Sequence, residues 1–205
     1  MPQLQKALSY TAFHAFAPVQ LVASSLYLVV VQPKVTAATV ARLIALAKAK
    51  PGELNYASSG NGASTHLAGL LFCQMTGVRM VHIPYKGSGP ATTELLAGQV
   101  QMRFSSIPPV LPHVRSGRLR ALAVTSAKRF SLVPDVPTVA ETVPGLEVES
   151  WYGVFARAGT PAAIIKKLNA DFAAALHSHE VKDRLATEGS GGIGSSPERI
   201  GPMFR

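Results

Sequence analysis

Apolar residues run without a polar break through residues 26–31, LYLVVV, until Gln32 and Pro33 close the stretch. A continuous run this rich in β-branched residues predicts a strand covered on both faces. Behind it, Val40, Leu43, Ile44 and Ala47 recur at i, i+3, i+4 and i+7. That period predicts a helix, and Pro51-Gly52 marks its end. The same order of elements then returns: a glycine (Gly52, Gly98, Gly117), a short strand (LNYA, VQMRF, LRALAV) and a pair of hydroxyl residues (Ser58-Ser59, Ser105-Ser106, Thr125-Ser126). A further strand, VRMVHIP, ends in YKGSGP, residues 85–90, where Pro90 suits the first turn of a helix carrying Leu95 and Leu96.

Strands alternating with helices through short connections predict an α/β fold with a parallel sheet. In such sheets the loops after the strands emerge on one edge, where ligands bind. The pattern therefore sets Ser58-Ser59, residues 85–88, Ser105-Ser106 and Thr125-Ser126 along one rim. After Ser126 the texture changes, and residues 128–150 hold proline and little helical period, as a connector does. WYGVF then reads as a strand. Thr160-Pro161 reads as N-cap and first helical residue of a helix on which Ile164, Leu168, Phe172 and Leu176 form a stripe. A second helical piece, residues 180–188, stops at Gly189, and Ser196-Pro197 starts another.

Hydrophobic residues make up 47% of the chain and charged residues only 15%, a balance that excludes a disordered polyampholyte. The longest apolar stretch is broken by Ser24-Ser25 and falls short of a membrane span. The single Cys73 excludes an internal disulfide and lies in a helical pattern, where it reads as a small core residue. The net charge of +9 favours anionic partners, yet the lysines and arginines are scattered singly with few aromatics among them, so no nucleic-acid interface is expected.

The richest chemistry lies in YASSGNGASTHLAG, residues 56–69. Glycines before a helix N-terminus let an anion approach the free N–H groups there, and the helix dipole favours its charge. Gly60 and Gly62 supply the approach, Ser58, Ser59, Ser64 and Thr65 supply hydroxyls, and His66 falls in the first helical turn. A well-capped turn with no ligand is the alternative. The segment has neither the Walker lysine nor the G-x-G-x-x-G spacing, and in YKGSGPA the lysine precedes the glycines. No cofactor is expected.

A hydrolase would need a G-x-S-x-G elbow, which is absent, and an acid to orient His66; between residues 27 and 130 the only acids are Glu53 and Glu94. The chain is therefore not expected to be an enzyme. For metal, His177-x-His179 is the one close pair, and i, i+2 spacing sets the rings on different sides of a helix. His14, His82 and His113 stand alone and read as structural.

Five segments together, LNYASSGNGASTHLAGLLF, VHIPYKGSGPATTELLAGQV, LPHVRSGRLRALAVTSAKR, VPDVPTVAET and ESWYGVFARAGTP, resemble the Bug family of extracytoplasmic solute receptors. These are the TctC-like binding proteins of tripartite tricarboxylate transporters. The resemblance implies a type II periplasmic binding protein-like fold with two Rossmann-like lobes that close on a small carboxylate, for delivery to membrane permease subunits. It maps residues 26–128 to the second lobe, 129–144 to a connector or hinge, and 1–25 with 145–205 to an incomplete first lobe. Family members hold the carboxylate with backbone and hydroxyl groups of loops. The loop from Ser58 to His66 matches one of these, and Tyr85, Lys86 and Gly87 match a segment lining the cleft. By this mapping Ser59, Gly60, Gly62 and Thr65 donate to the carboxylate or its waters, His66 buttresses the loop, and Tyr85 and Ser105 shape the distal pocket.

Two departures from the family pattern carry expectations. Relatives have roughly another 90 to 100 N-terminal residues, a signal peptide among them, and MPQLQKALSYTAFHAF shows no such leader. The family is periplasmic, but the chain as written is expected to stay cytoplasmic, and an incomplete first lobe would favour self-association. A remnant without transport activity is the rival expectation. The other departure is Ser105-Ser106, where many relatives carry an Asp able to pair with a ligand amino group. Serine there argues for simple mono-, di- or tricarboxylates over amino acids.

Overall fold

The computed structural model describes residues 12–204. Two compact units partition it, one being Leu26–Glu149 and the other Met1–Ser25 with Ser150–Arg205.

In the Leu26–Glu149 unit the elements alternate as the periodicity predicts. The distal part of β1 (Phe16–Val31) is followed by α2 (Val40–Ala49), β2 (Asn55–Ser58), α3 (Ser64–Thr76) and β3 (Val81–Pro84). Then come α4 (Ser88–Ala97), β4 (Met102–Ser106), α5 (Leu111–Arg115) and β5 (Arg120–Val124), and α1 (Ala12–Ala15) precedes them all. The strand order is β3-β2-β4-β1-β5. β2 is parallel to β3 and β4, whereas β1 is antiparallel to β4 and β5. The all-parallel expectation thus fails at β1. A run buried on both faces looks the same in either direction, so LYLVVV carried no sign of its polarity. The other four strands share one direction, and their C-terminal ends remain on one edge.

Alternation along β1 splits the core. Tyr27, Val29 and Val31 face α2 and α3, packing with Leu43, Ala47, Tyr56, Phe72, Met102 and Phe104. Leu28 and Val30 face the other way, with Ala91, Leu95, Ile107, Leu111 and Leu119. The sheet is therefore a middle layer between helices. Residues read as connector also contribute: Val139, Val143 and Leu146 are buried in the first cluster, and a short 3-10 turn at Val139–Glu141 carries a capping box from Thr138 and Glu141.

The other unit contains the start of β1, β6 (Glu149–Arg157), α6 (Ala162–His177), α7 (His179–Thr187), β7 (Ser190–Gly192) and α8 (Pro197–Phe204). β7 pairs antiparallel with β1 from Ala23 to Ser25, and β6 also pairs with β1. Asn169 ties α6 down by donating to the Val19 and Ser195 carbonyls, both at 2.9 Å. Two helix details differ from expectation. Pro161 rather than Thr160 is the N-cap of α6, because the Thr160 hydroxyl donates back to the Arg157 carbonyl at 2.7 Å. Of the expected stripe only Leu176 is buried, and Ile164 is 49% exposed.

Gly69 fixes how closely α3 lies on the sheet. A Cβ there would collide with the Tyr56 ring, lying 2.8 Å from Cδ2 and nearer still to Cε2. Gly69→Ala should therefore destabilise the protein by about 1 to 3 kcal/mol through overpacking. The Tyr56 hydroxyl is buried without a partner, and burial with nearby Cys73 pushes it up to about 12. Tyr56→Phe should leave stability unchanged or raise it by up to about 1 kcal/mol, since no hydrogen bond is lost. Denaturant melts of both variants check the pair, and a neutral Gly69→Ala would contradict this packing.

Candidate functional site: the turn between β2 and α3

The chain leaves β2 at Ser58 and enters α3 at Ser64, with Gly60 at φ +140° and Gly62 at φ +75°. Only glycine adopts such backbone angles without strain. The Gly60 carbon also lies against the Tyr85 carbonyl, which a Cβ would meet at 3.4 Å.

Four of the seven N–H groups from Ser59 to Thr65 are met within the turn, three of them by its own side chains. Ser58 Oγ accepts from the Gly60 N–H at 3.1 Å. Thr65 Oγ1 accepts from the Ser59 N–H at 3.0 Å and lies 2.8 Å from Ser59 Oγ. The Gly62 N–H donates to His66 Nδ1 at 3.1 Å, and the Ala63 N–H to the Gly60 carbonyl at 3.2 Å. The N–H groups of Asn61, Ser64 and Thr65 find no acceptor among the described residues. Those three unpaired donors, with no side-chain cap on α3, are the part of the turn able to meet an anion.

Two aromatic groups brace this arrangement. His66 stacks on His82 with ring centroids 3.8 Å apart and 10° between planes, and His82 Nε2 is hydrogen-bonded to Ser58 Oγ at 2.6 Å. From the central strand, the Tyr27 hydroxyl donates to Ser64 Oγ at 2.6 Å. Neither His82 nor Tyr27 was marked for this role by its sequence neighbourhood. The one hint at Tyr27 is a hydroxyl inside an otherwise aliphatic run.

The β3–α4 turn adjoins the first. Tyr85 and Gly87 donate their N–H groups to the carbonyls of Ser58 and Ser59, each at 3.1 Å. Lys86 is exposed, Tyr85 and Gly87 are half-buried, and the N–H groups of Ser88 and Gly89 have no acceptor among the described residues. The structure thus brings Ser58, Ser59, Gly60, Gly62, Ser64, Thr65, His66, Tyr85, Lys86 and Gly87 onto adjacent turns. Ser105 differs: it is fully buried in β4 and its hydroxyl donates to the Ser106 carbonyl. Thr125 is also spent internally, accepting from the Tyr27 N–H at 2.9 Å and donating to the Val148 carbonyl at 2.6 Å.

No group of three or more metal-ligating side chains exists among the described residues. His177 and His179 each find a partner on their own helices, the Ala173 carbonyl and Asp183.

The open helix N-termini beside glycine turns lie on the carboxyl edge of the α/β sheet, where such folds bind ligands. The chain belongs to the tripartite tricarboxylate transporter family receptor group, TctC, whose family profile matches residues 1–196. BugT of Bordetella pertussis is 38% identical over 197 residues, which are 96% of this chain and 60% of BugT. Rpa4515 of R. palustris, solved with adipate, has a TM-score of 0.89 at 37% identity, over 97% of this chain and 67% of that one. MatC (Rpa3494) from Rhodopseudomonas palustris, solved with bound malate, has a TM-score of 0.85 at 29% identity, over 98% and 69% of the two chains. The chain spans about three fifths of the length of BugT-like curated relatives.

The histidine pair gives the turn a pH signature. Burial holds both His66 and His82 below the ordinary imidazole value, and His66 further lowers His82. His66 Nδ1 must be unprotonated to accept from Gly62. Both groups are neutral in folded and unfolded chains above about pH 6.5, so the contribution is full there. It is lost as pH falls from that value through the lower folded-state values, because the unfolded chain takes up protons first. The melting temperature should therefore drop from pH 7 to pH 5, and His66→Asn should flatten part of that drop. Wild-type and variant curves of equal slope would contradict the assignment.

Proposed function

We propose that the protein is a non-catalytic solute receptor that captures a small organic carboxylate in the periplasm and presents it to the permease subunits of a tripartite tricarboxylate-type transporter. The observation that carries this reading is the set of unpaired N–H groups at Asn61, Ser64 and Thr65, at the positive end of α3 and free of any acid. A carboxylate accepts from several such donors at once, and charge-assisted bonds of this kind are the strong ones. Ser59 and Thr65 hold two hydroxyl protons and spend one on their mutual bond, so the other is free to donate to the ligand.

The known ligands of relatives fit this chemistry, since adipate and malate are both small carboxylates. Gly60 and Gly62 act by keeping the backbone close and bare, His66 by holding the Gly62 peptide, and Tyr85, Lys86 and Gly87 by forming the adjoining wall. No bond in the ligand is made or broken. Binding to the folded form alone should raise stability with ligand concentration.

Calorimetric titration with a panel of mono-, di- and tricarboxylates tests the proposal. At least one acid should bind, and Ser59→Ala should weaken it by about ten- to a hundredfold, the worth of a hydrogen bond to a charged group. Gly62→Val should abolish binding while circular dichroism stays that of the wild type. Undiminished affinity in Gly62→Val would overturn the role of this turn.

A further inference from the structure

Arg103 lies on β4 with no exposed surface and heads the fully buried side chains in size. Its strand neighbours Met102 and Phe104 enter the first apolar cluster, so Arg103 points to the opposite face, where α4 packs. The guanidinium ends beneath the first turn of that helix. Nη1 donates to the Ser88 carbonyl at 2.9 Å and to Thr92 Oγ1 at 2.6 Å, and Nη2 donates to Ser88 Oγ at 3.0 Å. Nε is buried without a partner.

All three acceptors are neutral. Burial pushes the guanidinium down to about 10 with no carboxylate acting on it, so it stays cationic at neutral pH. The ion pairs among the described residues leave it out, and Glu94 on α4 acts on Tyr85 instead. A buried cation ordinarily keeps an acidic partner. This one sits under a helix N-terminus, whose partial positive charge repels it. The two like charges add at the first turn of α4, where the N–H groups of Ser88 and Gly89 lack acceptors. That turn is joined to the β2–α3 turn through the Gly87 N–H on the Ser59 carbonyl, 3.1 Å. Two positive helix ends and one guanidinium with no carboxylate partner therefore converge on this rim.

We propose that Arg103 is a specificity-determining residue that makes this rim select dicarboxylates over monocarboxylates, one carboxylate meeting the N-terminus of α3 and the other that of α4. The proposal rests on the receptor reading above. Arg103 does not touch the ligand; it acts through charge and by holding Ser88 in place.

The test is titration of the whole protein with the straight-chain dicarboxylates of four to six carbons, each against the monocarboxylate of equal length. Wild type should favour the dicarboxylate. Arg103→Met should cut that preference about tenfold, the weight of a unit charge roughly 10 Å away at an effective dielectric of about 20. Monocarboxylate affinity should hold within about twofold, since the remaining α3 donors carry that contact. Arg103→Lys, which keeps the charge and loses the fork, should keep the preference.

Mono- and dicarboxylate affinities falling together in Arg103→Met would show a purely structural residue and overturn the proposal. A wild type that does not discriminate overturns it without any variant, which covers the case in which Arg103→Met fails to fold. Failure of every acid to bind wild type would instead sink the receptor reading itself.

Discussion

In the turn between β2 and α3 only Ala63, among residues 59–65, pairs its N–H with a backbone carbonyl, and the rest of the rim depends on how the other donors are met. A buried N–H left unpaired costs free energy comparable to a lost hydrogen bond. Ser58, Thr65 and His66 close half of the deficit by bending their side chains back onto Gly60, Ser59 and Gly62. Because those donors are satisfied internally, the turn is held in one shape before any ligand arrives. Of the donors that remain, Ser64 and Thr65 lie at the start of α3, where the helix dipole adds to them. Preorganised donors of this kind need no reordering on binding.

Bracing comes from neighbouring strands. His82 on β3 stacks under His66 and meets Ser58, while Tyr27 on the antiparallel central strand reaches Ser64. The sheet order places β2 between β3 and β4. Arg103 on β4 adds charge from below, and its burial among neutral acceptors is tolerable only because three of its hydrogen bonds are made. Membership of the tripartite tricarboxylate transporter receptor family agrees with a rim of this polarity.

Much of this was legible in the sequence, and the limits have physical reasons. Helix α2 announced itself by its apolar period, and glycines stand where α3 and α4 end. The glycine- and hydroxyl-rich run at residues 58–66 stood out because no simple cap needs so many polar residues. The direction of β1 was hidden, since a strand buried on both faces alternates in neither orientation. Tyr27 and His82 act through contacts 37 and 24 residues away in sequence, which local pattern does not encode. Arg103 fell on a polar position of the alternating strand VQMRF, the pattern of a solvent-facing residue, so its burial was not legible. Thr160 looked like a cap, but its hydroxyl had a nearer acceptor at Arg157.

The central claim is that unpaired backbone donors at the start of α3 receive a carboxylate. Backbone amide resonances of the labelled protein, followed while a binding dicarboxylate is added, test it directly. The amide protons of Ser64 and Thr65 should move downfield and saturate with the calorimetric affinity, while those of Gly60 and Gly62 shift little. Saturating shifts confined to residues away from this turn, with Ser64 and Thr65 unmoved, would contradict the account.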